Sequence, residues 1–299
     1  MSNPDAEAAT VFNARDRNKS DTLVDASLTA VKQFDQRNSL ALSVARKNRA
    51  PNLYERYSWG QGAMATSMIG WFGDGNGYIG NIDLQPETAH TAALNYQFDT
   101  GTFSVEARGW YTHVQDYIDV EVSGQFNRSS MPEGLRNILA FTNLDATLYG
   151  AGLQGRYQLP FTGAGQWQII NAFAWQRGER DDTGNSLYQI IPVKNTLTIM
   201  HTMDGLTTSL TWQWVGQKDN TDPRRLENET DAYSLLNAST QWQYDNLTLT
   251  LSVNNLTDNV YALPLGGVSI ANYNVEPDKG FTQLQGAGRS FDFGIRYSF

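Results

Sequence analysis

The closing stretch Arg289–Phe299, RSFDFGIRYSF, alternates almost without error. Phe291, Phe293, Ile295, Tyr297 and Phe299 fall on one side of an extended chain; Asp292, Gly294, Arg296 and Ser298 fall on the other. A period of two specifies a strand with one apolar and one polar face. In a soluble sandwich the apolar face would meet a second sheet. In a transmembrane barrel it would meet lipid, with the terminal aromatic at the interfacial girdle.

The same alternation recurs upstream. TAALNYQF sets Ala92, Leu94, Tyr96 and Phe98 against Thr91, Ala93, Asn95 and Gln97. TFSVEARGWYT sets Phe103, Val105, Ala107, Gly109 and Tyr111 against Ser104, Glu106, Arg108 and Trp110. Comparable patterns cover Tyr149–Leu159, Leu206–Trp214, Leu235–Tyr244 and Leu247–Asn255, with less regular ones near 21–35, 38–48, 166–178 and 190–201. These make about eleven strands, several long enough to cross a bilayer at a tilt, which takes roughly ten residues.

The joints between strands separate sandwich from barrel. Asp35–Asn38, Asp99–Gly101, Pro160–Gly165, Thr202–Gly205 and Asp245–Asn246 are tight turns of Gly, Pro, Asp and Asn. The alternate joints, about 49–86, 123–137, 179–189, 218–231 and 258–288, are long. All short turns then lie at one end of the sheet and all long loops at the other, which is the rule for bacterial outer-membrane barrels. The expectation is an all-β antiparallel meander spanning the outer membrane, with residues 1–20 as the end of an extracellular loop and 21–299 as barrel. Single-chain bacterial barrels have even strand counts, so an odd count, together with an N-terminus lacking a secretory signal, suggests a partial chain.

Composition agrees. With 22 basic and 31 acidic residues the net charge is −9, which argues against nucleic acid as a partner. Cysteine is absent, which removes disulfides, thiolate nucleophiles and Cys-based metal sites. A mean hydropathy of −0.46 fits no helical membrane protein, whereas barrel strands are only half apolar.

Four elements resemble TonB-dependent receptors. RAPNLY (Arg49, Ala50, Pro51, Asn52, Leu53, Tyr54) matches the family's Arg-x-Pro-type strand end, and LQPET (Leu84, Gln85, Pro86, Glu87, Thr88) its Leu-x-Pro-Glu strand start. VNNLTDNVY resembles the penultimate-strand signature through Asn255, Leu256, Asp258 and Tyr261, with Thr257 where Phe is usual. The aromatic final strand ending in Phe299 is the fourth. The wording of APNLYERYSWG and GWFGDGNGYIGN is similar to the copper-receptor branch. The resemblance implies the C-terminal half of a twenty-two-stranded barrel, with the plug domain absent from this stretch. It also implies uptake of a metal ion or metal chelate, of copper or siderophore type, energised by the TonB complex through that plug. No cofactor is implied. A passive porin-like or adhesive barrel and a barrel hydrolase are the alternatives.

Ligand capture must begin on the long loops. The loop from Arg49 to Pro86 carries Tyr54, Tyr57, Trp59, Met64, Met68, Trp71, Phe72 and Tyr78, too apolar for a disordered tether. Met64 and Met68 are candidate ligands for a soft ion such as Cu(I), or gap-fillers in a folded lid. Met200, His201 and Met203 read as turn residues. GDGNGY fails as a calcium loop for want of an acidic twelfth position, so Gly73, Gly75 and Gly77 are expected in tight turns. For hydrolysis the sole loose pairing is His113 with Ser123, Ser129 or Ser130, and Glu106, Arg108 and Arg156 read as a charged lumen wall.

Overall fold

A computed structural model of the chain describes residues 4–62, 65, 74, 76–127, 135–225, 227–267, 269, 275–276 and 282–299. One sheet organises it. Its strands are β1 (Ala26–Gln33), β2 (Asn38–Arg49), β3 (Gly77–Ile79), β4 (Glu87–Asp99), β5 (Phe103–Asn127) and β6 (Leu135–Gln158). They continue with β7 (Gln166–Arg180), β8 (Lys194–Met203), β9 (Leu206–Val215), β10 (Tyr233–Tyr244), β11 (Leu247–Asn254) and β12 (Ser290–Tyr297). Eleven follow one another as an antiparallel meander in sequence order, and β3 lies off that path, paired in parallel with β6. Among the described residues β1 pairs only with β2 and β12 only with β11, so the sheet has two free edges.

Register carries the predicted alternation across the whole sheet. Leu42 opposes Leu94, Leu94 opposes Gly109, Gly109 opposes Ala151 and Ala151 opposes Trp175, in one apolar row. On the last strands Leu247, Leu249, Leu251 and Val253 oppose Tyr297, Ile295, Phe293 and Phe291. Among the described residues no second sheet covers this face: Leu94 remains 48% exposed and Phe293 68%. A soluble fold would have to bury such a band. The opposite face is polar, with Thr248 against Arg296 and Ser252 against Asp292. Hydroxyl pairs stitch its strands, Thr29 to Ser43 at 3.0 Å, Thr91 to Thr112 at 2.8 Å and Ser209 to Ser239 at 2.8 Å.

The tight turns take the conformations that their residues favour. Asp204 and Gly205 both have positive φ, 49° and 77°, as a two-residue hairpin matching strand twist requires.

At the long-loop end β5 and β6 run on for 25 and 24 residues in all. A bulge between Val114 and Tyr117, where Asp116 has φ 56°, marks the change. Above it lies the buried core: Tyr78, Leu84, Ile118, Val120, Leu139 and Phe141. The packed interior therefore sits in the loops and strand extensions rather than behind the sheet wall.

Two local readings change. The hairpin expected to be open over 123–137 is paired to Asn127 and from Leu135, because the β5–β6 ladder continues to the pair Asn127 and Leu135. Gly77 is a buried strand residue of β3, not a turn; its lack of a side chain suits a packed strand as well as a turn. Gly73 and Gly75 lie outside the described residues. Residues 4–13 of the polar N-terminal segment form a ten-residue helix, α1 (Pro4–Asn13).

Candidate functional site

The long-loop end is assembled by a clamp of charges. β2 stops at Arg49, and Pro51, which has no N–H to donate to a ladder, follows it. Helix α2 (Leu53–Tyr57) then begins with a capping box, in which Asn52 accepts from Tyr54 N and Glu55 N while Glu55 accepts from Asn52 N. Arg49 holds this helix to the barrel. Its Nη1 donates to Glu55 Oε1 at 3.0 Å and Oε2 at 2.9 Å, and its Nε and Nη2 donate to the two oxygens of Glu87. Glu87 Oε1 also accepts from Ile118 N at 2.8 Å. Leu84 is buried in the core, and its carbonyl accepts from Arg56 Nη2 at 2.8 Å. The two motif segments thus bond to each other: Arg49 and Glu87 form the pair, with Leu84 as its apolar anchor.

Helix α1 packs beside α2. Phe12 stacks on Trp59 with ring centroids 5.9 Å apart and meets Tyr57 edge-on at 6.4 Å. Asp5 Oδ1 accepts from the backbone N of Gln61 and Gly62. Arg56 is paired with Asp21 at 2.8 Å, and that bond holds the Asp21 carboxyl below the usual carboxylate range against the opposing effect of burial. Between the helices and the sheet lies a cleft of about 250 Å³ lined by Phe12, Arg15, Arg56, Trp59, Ile82 and Phe141.

A second assembly pins the loop between β9 and β10. Its 3-10 turn, Pro223–Arg225, reaches the extension of β5. Asp119, buried, is 2.7 Å from Arg224 Nη2, 3.2 Å from Arg225 Nη2 and 3.9 Å from Arg180 Nη1. Arg224 also pairs with buried Asp222 and donates to the carbonyl of Val120. Arg225 lies over the rings of Tyr78 and Tyr188 at 5.7 and 4.8 Å. Arg180 bonds Asp182 and Glu121, and its hydrogen bond holds the Asp182 carboxyl low. Burial pushes the Tyr78 hydroxyl well above its ordinary value. Three guanidiniums, two of them buried, around one buried carboxylate make a rigid polar network rather than an open site.

Of the residues expected to capture ligand, Trp59 lines the cleft and Tyr57 flanks it, its hydroxyl donating to Arg17 O at 3.2 Å. Tyr54 is 53% exposed, away from the lining. Met64, Met68, Trp71 and Phe72 lie outside the described residues. Among the described residues no group of three or more His, Asp or Glu side chains could hold a metal ion, and no helix is long and apolar enough to cross a membrane. His201 is a turn-end residue, stacked on Trp167 and bonded to Ala164 O. His113 and Ser123 stand ten positions apart along β5, on the order of 30 Å, so they form no hydrolytic pair; Ser129 and Ser130 lie outside the described residues. Glu106 accepts from Asn95 at 3.0 Å on the polar face.

The second strand signature is a turn lock. Asn255 and Asp258 take positive φ, 50° and 55°. Asn255 accepts from Asn259 N and donates to the carbonyls of Asn259 and Ala287, and Asp258 Oδ1 accepts from Arg289 N at 2.9 Å. Leu256 N donates to Leu236 O. Tyr261 stacks on Tyr233 at 4.4 Å. Phe299 is fully exposed, its ring 5.2 Å from that of Tyr297.

Comparison with known proteins agrees with this architecture. No curated protein sequence matches the chain significantly. Among solved structures, the copper transporter OprC superposes with a TM-score of 0.74 at 20% identity, covering 94% of this chain and 40% of its own. The ferric enterobactin receptor PfeA of Pseudomonas aeruginosa, a Q482A mutant in complex with enterobactin, gives 0.67 at 18%, covering 92% of this chain and 40% of its own. The ferric yersiniabactin uptake receptor FyuA of Yersinia pestis gives 0.60 at 16%, covering 91% and 37%. The chain therefore spans about 40% of the length of the solved structures it matches. The family described as TonB dependent receptor-like, beta-barrel matches residues 4–256, and the chain belongs to it.

Proposed function

We propose that this chain is part of the wall and outer mouth of an outer-membrane receptor that takes up a scarce metal ion or metal chelate, with energy supplied through TonB. The observation that carries the reading is the two-sided sheet: an uncovered apolar face, an opposed polar face, and a packed loop assembly at one end only. The apolar face meets the hydrocarbon of the outer membrane, the polar face the lumen, and the loop assembly the cell exterior. Copper and siderophore receptors among the structural neighbours support the ligand class.

Uptake by cells expressing the complete receptor tests this. Radioactive copper and ferric chelates should accumulate in the parent, and accumulation should fall to background on deletion of the receptor or of TonB. Uptake that survives loss of TonB makes the barrel a passive pore. Met64 and Met68 are the proposed contacts for a soft ion, and M64L/M68L conserves most of the packing volume. Unchanged copper uptake in that variant would leave the loop a lid.

A further inference from the structure

The apolar face of the sheet carries an assembly that the uptake reading does not use. His90 on β4 is the direct cross-strand partner of His113 on β5. Directly opposed residues of an antiparallel pair share a face, with Cβ atoms about 4.5–5.5 Å apart. The row containing them runs Arg46, His90, His113, Thr147, Glu179 across five strands. One row nearer the short turns stand Tyr111 and Tyr149, also partners and on the same face. The imidazoles thus crown an aromatic row, at the level where the apolar wall ends.

A third group stands beside one of them. Asp181, just past the end of β7, places Oδ2 3.3 Å from His113 Nδ1. A carboxylate beside Nδ1 favours the proton on that nitrogen and leaves Nε2 as the lone pair, the side from which carboxylates support metal-ligating histidines. Both partners stay within reach of solvent, with 35% and 34% of their side-chain surface exposed.

We propose that His90 and His113 form a two-imidazole site for a divalent transition cation on the outer rim of the barrel, with Asp181 as its orienting carboxylate. Water fills the remaining coordination positions. Imidazole ligands favour Cu(II) over other first-row divalent ions, so Cu(II) is the cation of choice. The proposed ligands do not include Met64 and Met68, whose thioethers suit Cu(I).

The test uses the complete receptor in detergent micelles, titrated with copper(II) sulfate without reductant and followed by calorimetry and electron paramagnetic resonance. One Cu(II) should bind through two nitrogens. H90Q and H113Q should each remove that spectrum, while M64L/M68L leaves it intact. D181N should weaken binding about tenfold or more without changing the nitrogen count. His90 and Asp181 are exposed and His113 half-buried, and a native heat-modifiable mobility would show that each variant is folded. Absence of a two-nitrogen Cu(II) signal in the native receptor overturns the proposal, as does its persistence in H90Q/H113Q. Metal uptake unaltered in H90Q/H113Q, with the signal lost, leaves both the rim site and the uptake reading standing.

Discussion

Arg49 and Glu87 form a two-pronged ion pair across 38 positions of sequence, Nε to Oε2 at 2.7 Å and Nη2 to Oε1 at 2.8 Å. Both oxygens of Glu87 are engaged, and the remaining nitrogen of Arg49 is spent on Glu55. The pair therefore fixes where the loop leaves the barrel and where it returns.

R49A should strand two largely buried carboxylates. Arg49 itself is 44% exposed on its side chain, so water offsets part of the loss, and a cost of about 1–3 kcal/mol is expected. R49K retains charge but not the fork, so it should rescue little. Proteolysis between Pro51 and Pro86 should accelerate in both variants while the barrel stays resistant to detergent. A native-like cleavage rate in R49K would show that charge alone suffices.

Tyr117 gives a pH signature. Burial, then the nearby carboxylates of Asp119 and Glu87, push its hydroxyl up to about 12. A raised folded value means that its stabilising contribution is complete below the ordinary tyrosine range near 10 and is lost as pH rises through about 12. Loss of stability between those limits should be smaller in Y117F than in the parent. Absorbance at 295 nm should show one tyrosine fewer titrating near pH 12 in that variant. If Y117F and the parent titrate identically there, Tyr117 ionises elsewhere.

What the sequence disclosed follows from the physics of each element. Strands of the wall carry a strict period of two because each residue meets either an apolar or a polar phase, so their faces and turns were readable. Above the bulge at Asp116 that rule lapses: Ile118, Val120 and Phe141 pack against loops, and the phase set by Val114 no longer applies. Helix α1 carries only a short apolar stripe, Ala8, Val11 and Phe12, and its anchors are the distant Trp59 and the backbone of Gln61. Asp119, Arg180, Arg224 and Arg225 are spread over more than a hundred positions, with no spacing to announce their meeting. The motif residues Arg49 and Glu87 were visible only as a resemblance; their bond explains the pattern.

Two glycines of the wall should respond oppositely to a methyl group. A Cβ on Gly150 would stand 2.7 Å from Trp175 O and 2.9 Å from the Trp110 ring. On Gly109 it would meet nothing within 4 Å. G150A should cost about 1–3 kcal/mol through overpacking and lower the yield of folded barrel, whereas G109A should match or exceed the parent, since glycine weakens a strand interior. Equal yields from the two would mean that Trp110 moves aside freely and that the close approach is unimportant.

The two faces of the last hairpin can be read out residue by residue. The chain has no cysteine, so single substitutions give uniquely placed spin labels. Thr250 and Leu251 are neighbours on β11, opposed by Gly294 and Phe293 on β12. They differ by about 3.3 Å in position along the strand, so membrane depth cannot account for a contrast between them; only the side of the sheet can. With the complete receptor in lipid bilayers, labels at L251C and F293C should collide more with dissolved oxygen, which concentrates in hydrocarbon. Labels at T250C and S252C should collide more with a water-soluble nickel chelate. The alternation should continue along β12, with I295C matching L251C and R296C matching T250C. If all six labels meet the chelate equally, the apolar band is not in lipid. If the two sets exchange, the lumen lies on the other side of the sheet, and the placement of Thr248, Ser252, Asp292 and Arg296 along its wall fails with it.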